Sequence, residues 1–171
     1  VYGRGWQDIF KDIQQQFPGA YDDSSLMEEK IREILDRIQE SRDIRISGSV
    51  KLLRRLAPEH PVAVVSGAMR TDIQIGMRAL GIEPLVRFFL GAEDYAPGKP
   101  SPVCYEMAAR RLALPAENCL VFEDSWAGVQ AARAAGMRCV ALKRSGAPEQ
   151  DLSDADLVVS DLADFEPAML T

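Results

Sequence analysis

The sequence predicts an α/β fold built on a doubly wound, Rossmann-like parallel sheet, with a helical segment ahead of it. Three observations lead there. Short apolar runs rich in Val and Leu recur beyond residue 49, each separated from the next by a helical stretch. The runs are apolar throughout instead of alternating with polar residues, which is the pattern of strands covered on both faces. Two of the helices close at a glycine, where a chain can leave a helix and turn back towards a sheet. At 171 residues the chain suits one domain, or one domain with a small appendage.

Along the chain, Trp6, Ile9, Phe10, Ile13 and Phe17 recur at three- and four-residue spacing, a helical period that Pro18-Gly19 stops. Ser24 or Ser25 can cap a second helix through Leu26, Ile31, Ile34, Leu35 and Ile38. A third passes through Val50, Leu52, Leu53 and Leu56 and leads to the first expected strand, Pro61–Ser66. A helix from about Met69 to Leu80 then ends at Gly81, and Phe88–Gly91 reads as a strand. Ser101-Pro102 suits the cap and first turn of a helix ending near Leu112. Cys119–Phe122 is the next strand, Ser125–Ala135 a helix stopped by Gly136, and Cys139–Leu142 and Leu157–Val159 the last two strands.

Composition narrows the function classes. Hydrophobic residues make up 47% and charged residues 27%, the profile of a globular protein. Charged residues interrupt every apolar stretch before the roughly 18 to 20 residues that a membrane helix needs. No basic start followed by an apolar run marks a signal peptide, so no membrane partner is expected. A net charge of −6 leaves no broad basic surface for a nucleic-acid backbone. A small phosphorylated ligand is still compatible, since a pocket can be positive on an acidic protein. Cys104, Cys119 and Cys139 are odd in number and far apart, so buried free thiols in a reducing cytoplasm are expected rather than disulfides or a zinc site.

In an open parallel sheet, ligands collect beyond the carboxyl ends of the strands. Three segments put polar residues there. Ser66-Gly67-Ala68 offers a hydroxyl and backbone N–H groups where a helix begins, Gly98-Lys99-Pro100 offers a compact cation, and Glu123-Asp124-Ser125 offers adjacent carboxylates. Each has a plain alternative: Ser66 as a helix cap, Lys99 as a solvated lysine, the two acids as an acidic helix start. Gathered on one rim they would make an anion site, and a divalent cation is the usual remedy for two neighbouring carboxylates. Hard oxygen ligands suit Mg²⁺.

Val64-Val65-Ser66-Gly67-Ala68-Met69-Arg70, Gly98-Lys99-Pro100-Ser101-Pro102 and Val121-Phe122-Glu123-Asp124-Ser125-Trp126-Ala127-Gly128-Val129 resemble the second, third and fourth motifs of the haloacid dehalogenase-like hydrolases. The spacings agree too, with 33 positions from Ser66 to Lys99 and 24 from Lys99 to Glu123. The resemblance implies that Ser66 and Lys99 are catalytic. It further implies that Ser66, Gly67, Ala68 and Lys99 bind phosphate, that Glu123 and Asp124 hold Mg²⁺, and that Ser125 supports the metal from behind. The acidic pair is similar to the Mg²⁺-dependent phosphatase and beta-phosphoglucomutase-like branch. The implied function is hydrolysis of a small phosphorylated metabolite through an aspartyl-phosphate. A sugar phosphomutase, or an inactive module that holds phosphate and Mg²⁺, is the alternative. A receiver domain is rejected, because there the acidic pair follows the first strand and the lysine comes last.

The family's first motif, an Asp-x-Asp after the first strand, has no counterpart here. Asp22-Asp23 follows no strand, and Asp154-Ala155-Asp156 precedes one. In the family that strand lies between those ending at Ser66 and Glu123, so the expected sheet has a gap at its centre, with unpaired backbone facing it. Roughly 40 to 50 upstream residues would carry the missing strand at ordinary element lengths, and this chain alone is expected to be inactive. Residues 1–45 then correspond to part of a helical cap, and 46–171 to the core. Arg4 and Arg70 are expected near substrate, with surface arginines as the plain alternative, and Trp6 near Arg4. His60 reads as a loop residue and Trp126 as packing beside the metal site. A monomer or weak dimer is expected.

Overall fold

The computed structural model describes residues 47–170, together with Gln15. The two helices expected earlier, the cap, Arg4 and Trp6 lie outside the described residues.

The elements follow the expected order: α1 Ser47–Leu56, β1 Ala63–Val65, α2 Arg70–Ala79, β2 Phe88–Leu90, α3 Val103–Leu112, β3 Leu120–Glu123, α4 Trp126–Ala134, β4 Arg138–Leu142 and β5 Leu157–Val159. Gly81 (φ +62) and Gly136 (φ +71) take the left-handed conformation after α2 and α4, which only glycine adopts without strain. Ser125 caps α4 by accepting the Gly128 N–H. Ser101, expected to cap α3, does not. Its N–H donates to the Gly98 carbonyl in a turn, and the helix opens one residue after Pro102 without a side-chain cap. Short 3₁₀ turns at Glu83–Leu85, Ala92–Asp94, Ala116–Asn118 and Leu162–Asp164 were not legible in the periodicity.

Among the described residues all strand pairings are parallel. β1 pairs with β2 in one sheet, while β3, β4 and β5 form a second in that order. Apolar side chains cover the sheets on both sides, as a doubly wound fold requires. On one side Leu90, Cys104, Val129 and Cys139 pack with α3 and α4; on the other Leu52, Val140, Leu142 and Phe165 pack under α1 and the chain's end. Phe122 meets Phe165 edge to face at 5.1 Å between centroids. Ile73 and Met77 of α2 pack on Val64 and Phe89.

Among the described residues no strand joins β1 to β3. Between them lies an apolar cavity of about 730 Å³, whose walls include Ala63, Val65, Val121, Phe122, Leu56 and Ala108. The ladder to β2 is flanked by Arg87 N–H to Val62 O (2.8 Å) and Ser66 N–H to Leu90 O (3.0 Å). Since parallel strands alternate the direction of their peptide groups, residues 62, 64 and 66 serve β2. Residues 63 and 65 turn their N–H and C=O groups towards the cavity. This is the gap expected at the sheet's centre.

Candidate active site

The carboxyl ends of β1 and β3 are bridged by the Lys99 side chain. Lys99, from the loop before α3, is 8% exposed, and its ammonium donates to the Val65 carbonyl at 3.2 Å and to Glu123 Oε1 at 2.5 Å. One cation therefore satisfies a cavity-facing carbonyl of β1 and the terminal carboxylate of β3. It also lies 4.9 Å from the centre of the Tyr105 ring, a further favourable contact for a desolvated ammonium.

Glu123 is held by four donors. Oε1 accepts from Lys99 and from the Tyr105 hydroxyl (2.5 Å), and Oε2 accepts from Ser125 Oγ (3.0 Å) and the Asp124 N–H (3.2 Å). Burial alone pushes this carboxyl up. The charge of Lys99 and the hydrogen bonds from Lys99, Tyr105 and Ser125 outweigh it and leave the group below its ordinary value. Burial, and next the same carboxylate, drive the Tyr105 hydroxyl well up, so it stays protonated and donates. Gly128 makes room: a Cβ there would lie 1.9 Å from the Glu123 carboxyl carbon.

Ser66 begins the turn into α2. Its Oγ accepts the Ala68 N–H at 3.1 Å, and its carbonyl accepts from Tyr95 at 2.9 Å. The serine is thus not the cap of α2; Met69 occupies that position with no side-chain bond. Accepting from Ala68 fixes the hydroxyl oxygen and leaves its proton to donate elsewhere. Asp124 points differently from Glu123. Its side chain is 34% exposed, and Arg144 Nε lies 3.3 Å from its Oδ2.

Ser66, Lys99, Glu123 and Asp124 therefore share one rim. The structure departs from expectation in two roles. Glu123, expected to hold metal, has both oxygens engaged by protein donors, so Asp124 is the acid of the pair that turns towards solvent. Arg70, expected near substrate, is tied down: its Nη1 donates to both Asp94 oxygens (2.9 and 2.7 Å) and its guanidinium stacks on Phe89 at 4.7 Å. Trp126, expected to pack, is 43% exposed. Cys104 and Cys139 are buried free thiols and Cys119 is half-buried; burial, then Glu123 and Asp156, push Cys139 up to about 12, which keeps it inert.

Sequence reasoning missed Tyr105, Gly128 and Arg144. A glycine in the first turn of a helix is a signal that something approaches closely. A basic residue just past β4, the strand beside β3, was also visible.

Among the described residues no three His, Cys, Asp or Glu side chains are grouped to hold a metal. Mg²⁺ does not need three, since it retains waters and commonly takes one or two carboxylates together with phosphate oxygens. Asp124 fits that demand.

A family model described as haloacid dehalogenase-like hydrolase matches residues 1–136. The chain is 32% identical over 122 residues to validoxylamine A 7'-phosphate phosphatase of Streptomyces hygroscopicus subsp. limoneus, covering 71% of this chain and 57% of that protein. It is 33% identical over 132 residues to Protein CbbY of Rhodobacter capsulatus, covering 71% and 58%. The chain thus spans under two thirds of the length of these relatives. The crystal structure of CbbY from Rhodobacter sphaeroides in complex with phosphate superposes with a TM-score of 0.79 at 21% identity, over 98% of this chain and 78% of that one, a likeness of fold.

Proposed function

The chain belongs to the haloacid dehalogenase-like hydrolase family, and from that premise we propose that it serves the Mg²⁺-dependent hydrolysis of a small metabolite's phosphate monoester. The observation that carries this reading is Lys99, a buried cation spanning the ends of β1 and β3 beside a serine turn and a half-exposed carboxylate. Phosphoryl transfer consists largely of positioning and charge neutralisation, so these are the parts the reaction asks for.

In this reading the Ser66 hydroxyl and the Gly67 and Ala68 N–H groups hold phosphate oxygens, the Ala68 N–H turning from Ser66 Oγ to do so. Lys99 offsets the negative charge of phosphate and attacking carboxylate. Glu123 acts through Lys99, since its oxygens are spent on fixing that ammonium, and Asp124 supplies the protein's carboxylate to Mg²⁺. The metal, when bound, adds charge neutralisation at the phosphate. The attacking aspartate, and the aspartyl-phosphate it forms, belong to a strand outside this sequence; the apolar cavity between β1 and β3 supports that assignment. A substrate among small phosphorylated metabolites, a reducing cytoplasm and a monomer or weak dimer complete the proposal. The cytoplasmic assignment rests on the buried free thiols.

The test is hydrolysis of p-nitrophenyl phosphate with Mg²⁺. A chain extended upstream by an Asp-x-Asp strand turns over, and its Lys99→Ala variant loses about a hundredfold or more, the scale of removing one charge-stabilising donor. The 171-residue chain is expected not to turn over. Turnover by the short chain that is lost in Lys99→Ala would mean the attacking group lies within it.

A further inference from the structure

The two acids at the end of β3 each face a different cation, and the two pairs differ in kind. Lys99 and Glu123 are buried, with side chains 7% and 9% exposed and 2.5 Å between charged atoms. Arg144 and Asp124 are 31% and 34% exposed and sit 3.3 Å apart. The first pair is locked by Tyr105, Ser125 and the Val65 carbonyl. The second is about one-third exposed, and its Nε–Oδ2 contact, shut off from water at the nitrogen, is not a hydrogen bond, so it is the weaker of the two.

Arg144 reaches Asp124 because of strand register. Glu123 lies opposite Ala141, so two residues past the end of β4 the chain stands beside the end of β3. Further along the same loop, Gln150 Oε1 accepts the Trp126 N–H at the start of α4, at 3.0 Å. The loop between them is thus pinned over Asp124 at two points.

We propose that Arg144 is a positioning residue that occupies Asp124 as an exchangeable counter-ion and is displaced when a divalent cation binds there. This rests on the reading of Asp124 as the magnesium ligand. A guanidinium against Asp124 Oδ2 and a divalent ion on the same carboxylate repel each other, so occupancy by one excludes the other at that contact. Arg144 keeps the carboxylate oriented while no metal is present, and it weakens apparent Mg²⁺ affinity by competing.

Calorimetric titration of the whole 171-residue chain with MgCl₂ tests this without recourse to activity. A partly exposed ion pair contributes little, so Arg144→Gln tightens Mg²⁺ binding by about two- to fivefold. Arg144→Lys keeps the competing charge and stays near the parent value. Asp124→Asn weakens binding, and adding Arg144→Gln to it changes nothing further. Circular dichroism melting of each variant identifies any that fail to fold, and the lysine variant then carries the comparison. If Asp124→Asn weakens binding while Arg144→Gln leaves it unchanged or weaker, the exchange is refuted and the metal reading stands. If Asp124→Asn has no effect on that binding, the metal reading falls and the exchange with it.

Discussion

β4 and β1 are both short apolar parallel strands, yet they end in different environments. β4 is paired on both edges, and Cys139, Val140, Ala141 and Leu142 are all buried. Among the described residues β1 is paired only with β2, and Ala63, Val64 and Val65 are each half-buried beside the cavity. An apolar run in the sequence therefore specifies a strand fit for burial on both faces, but not whether both edges find partners. What closes the open side of β1 is one lysine, at one end. At the rim Lys99 and Glu123 are fixed by protein partners, while among the described residues the second edge of β1 meets only the apolar cavity, so the rim is the fixed part and the floor the accommodating part.

Removing the lysine breaks that contrast most severely. Lys99→Ala strands a buried carboxylate and frees the Val65 carbonyl, and it is expected to cost about 3 to 5 kcal/mol in urea unfolding. A loss below 1 kcal/mol would mean that the rim does not hold the halves together. Truncating β4 and β1 alike sharpens the comparison. Val140→Ala, with no exposed surface, should cost about 2 kcal/mol, and Val64→Ala about half as much, since its site is already loosely covered. Equal losses would show the two strands to be equivalently packed.

The smallest effect is on the pH dependence of stability. The Glu123 carboxyl titrates below its ordinary 4.5 when folded, so its contribution is fully present above that value. It is lost as pH falls from there through the lower folded value. Acid melting curves of the parent protein should therefore decline over that window more steeply than those of Glu123→Gln, which lacks the group. Parallel curves would show that the carboxylate is not held by its four donors.

Much of the fold was legible, because period and punctuation agree with each other. The Gly81 and Gly136 stops, the Ser125 cap and the β-branched runs all point to the same alternation. The meeting of Ser66, Lys99 and Glu123 was legible from strand ends and motif spacing. The division of labour between the two acids was not. Glu123 turns inward because Tyr105, eighteen residues earlier, donates to it and because Gly128 has no Cβ to exclude it. Asp124, the next residue, lies past the end of β3 in the bend before α4 and meets Arg144 instead. Arg70 reads as a free cation until Asp94 and Phe89, on a different element, are seen to engage it. These are facts of tertiary contact, which local spacing does not encode.

The central claim is that Lys99 and Glu123 act as one unit joining two sheet halves at a single rim. A double-mutant cycle with Lys99→Met, Glu123→Gln and the combined variant, read by urea unfolding, measures that coupling. The account predicts an interaction of about 2 kcal/mol or more between them. Additivity within about 0.5 kcal/mol, the behaviour of sites that do not touch, would contradict it.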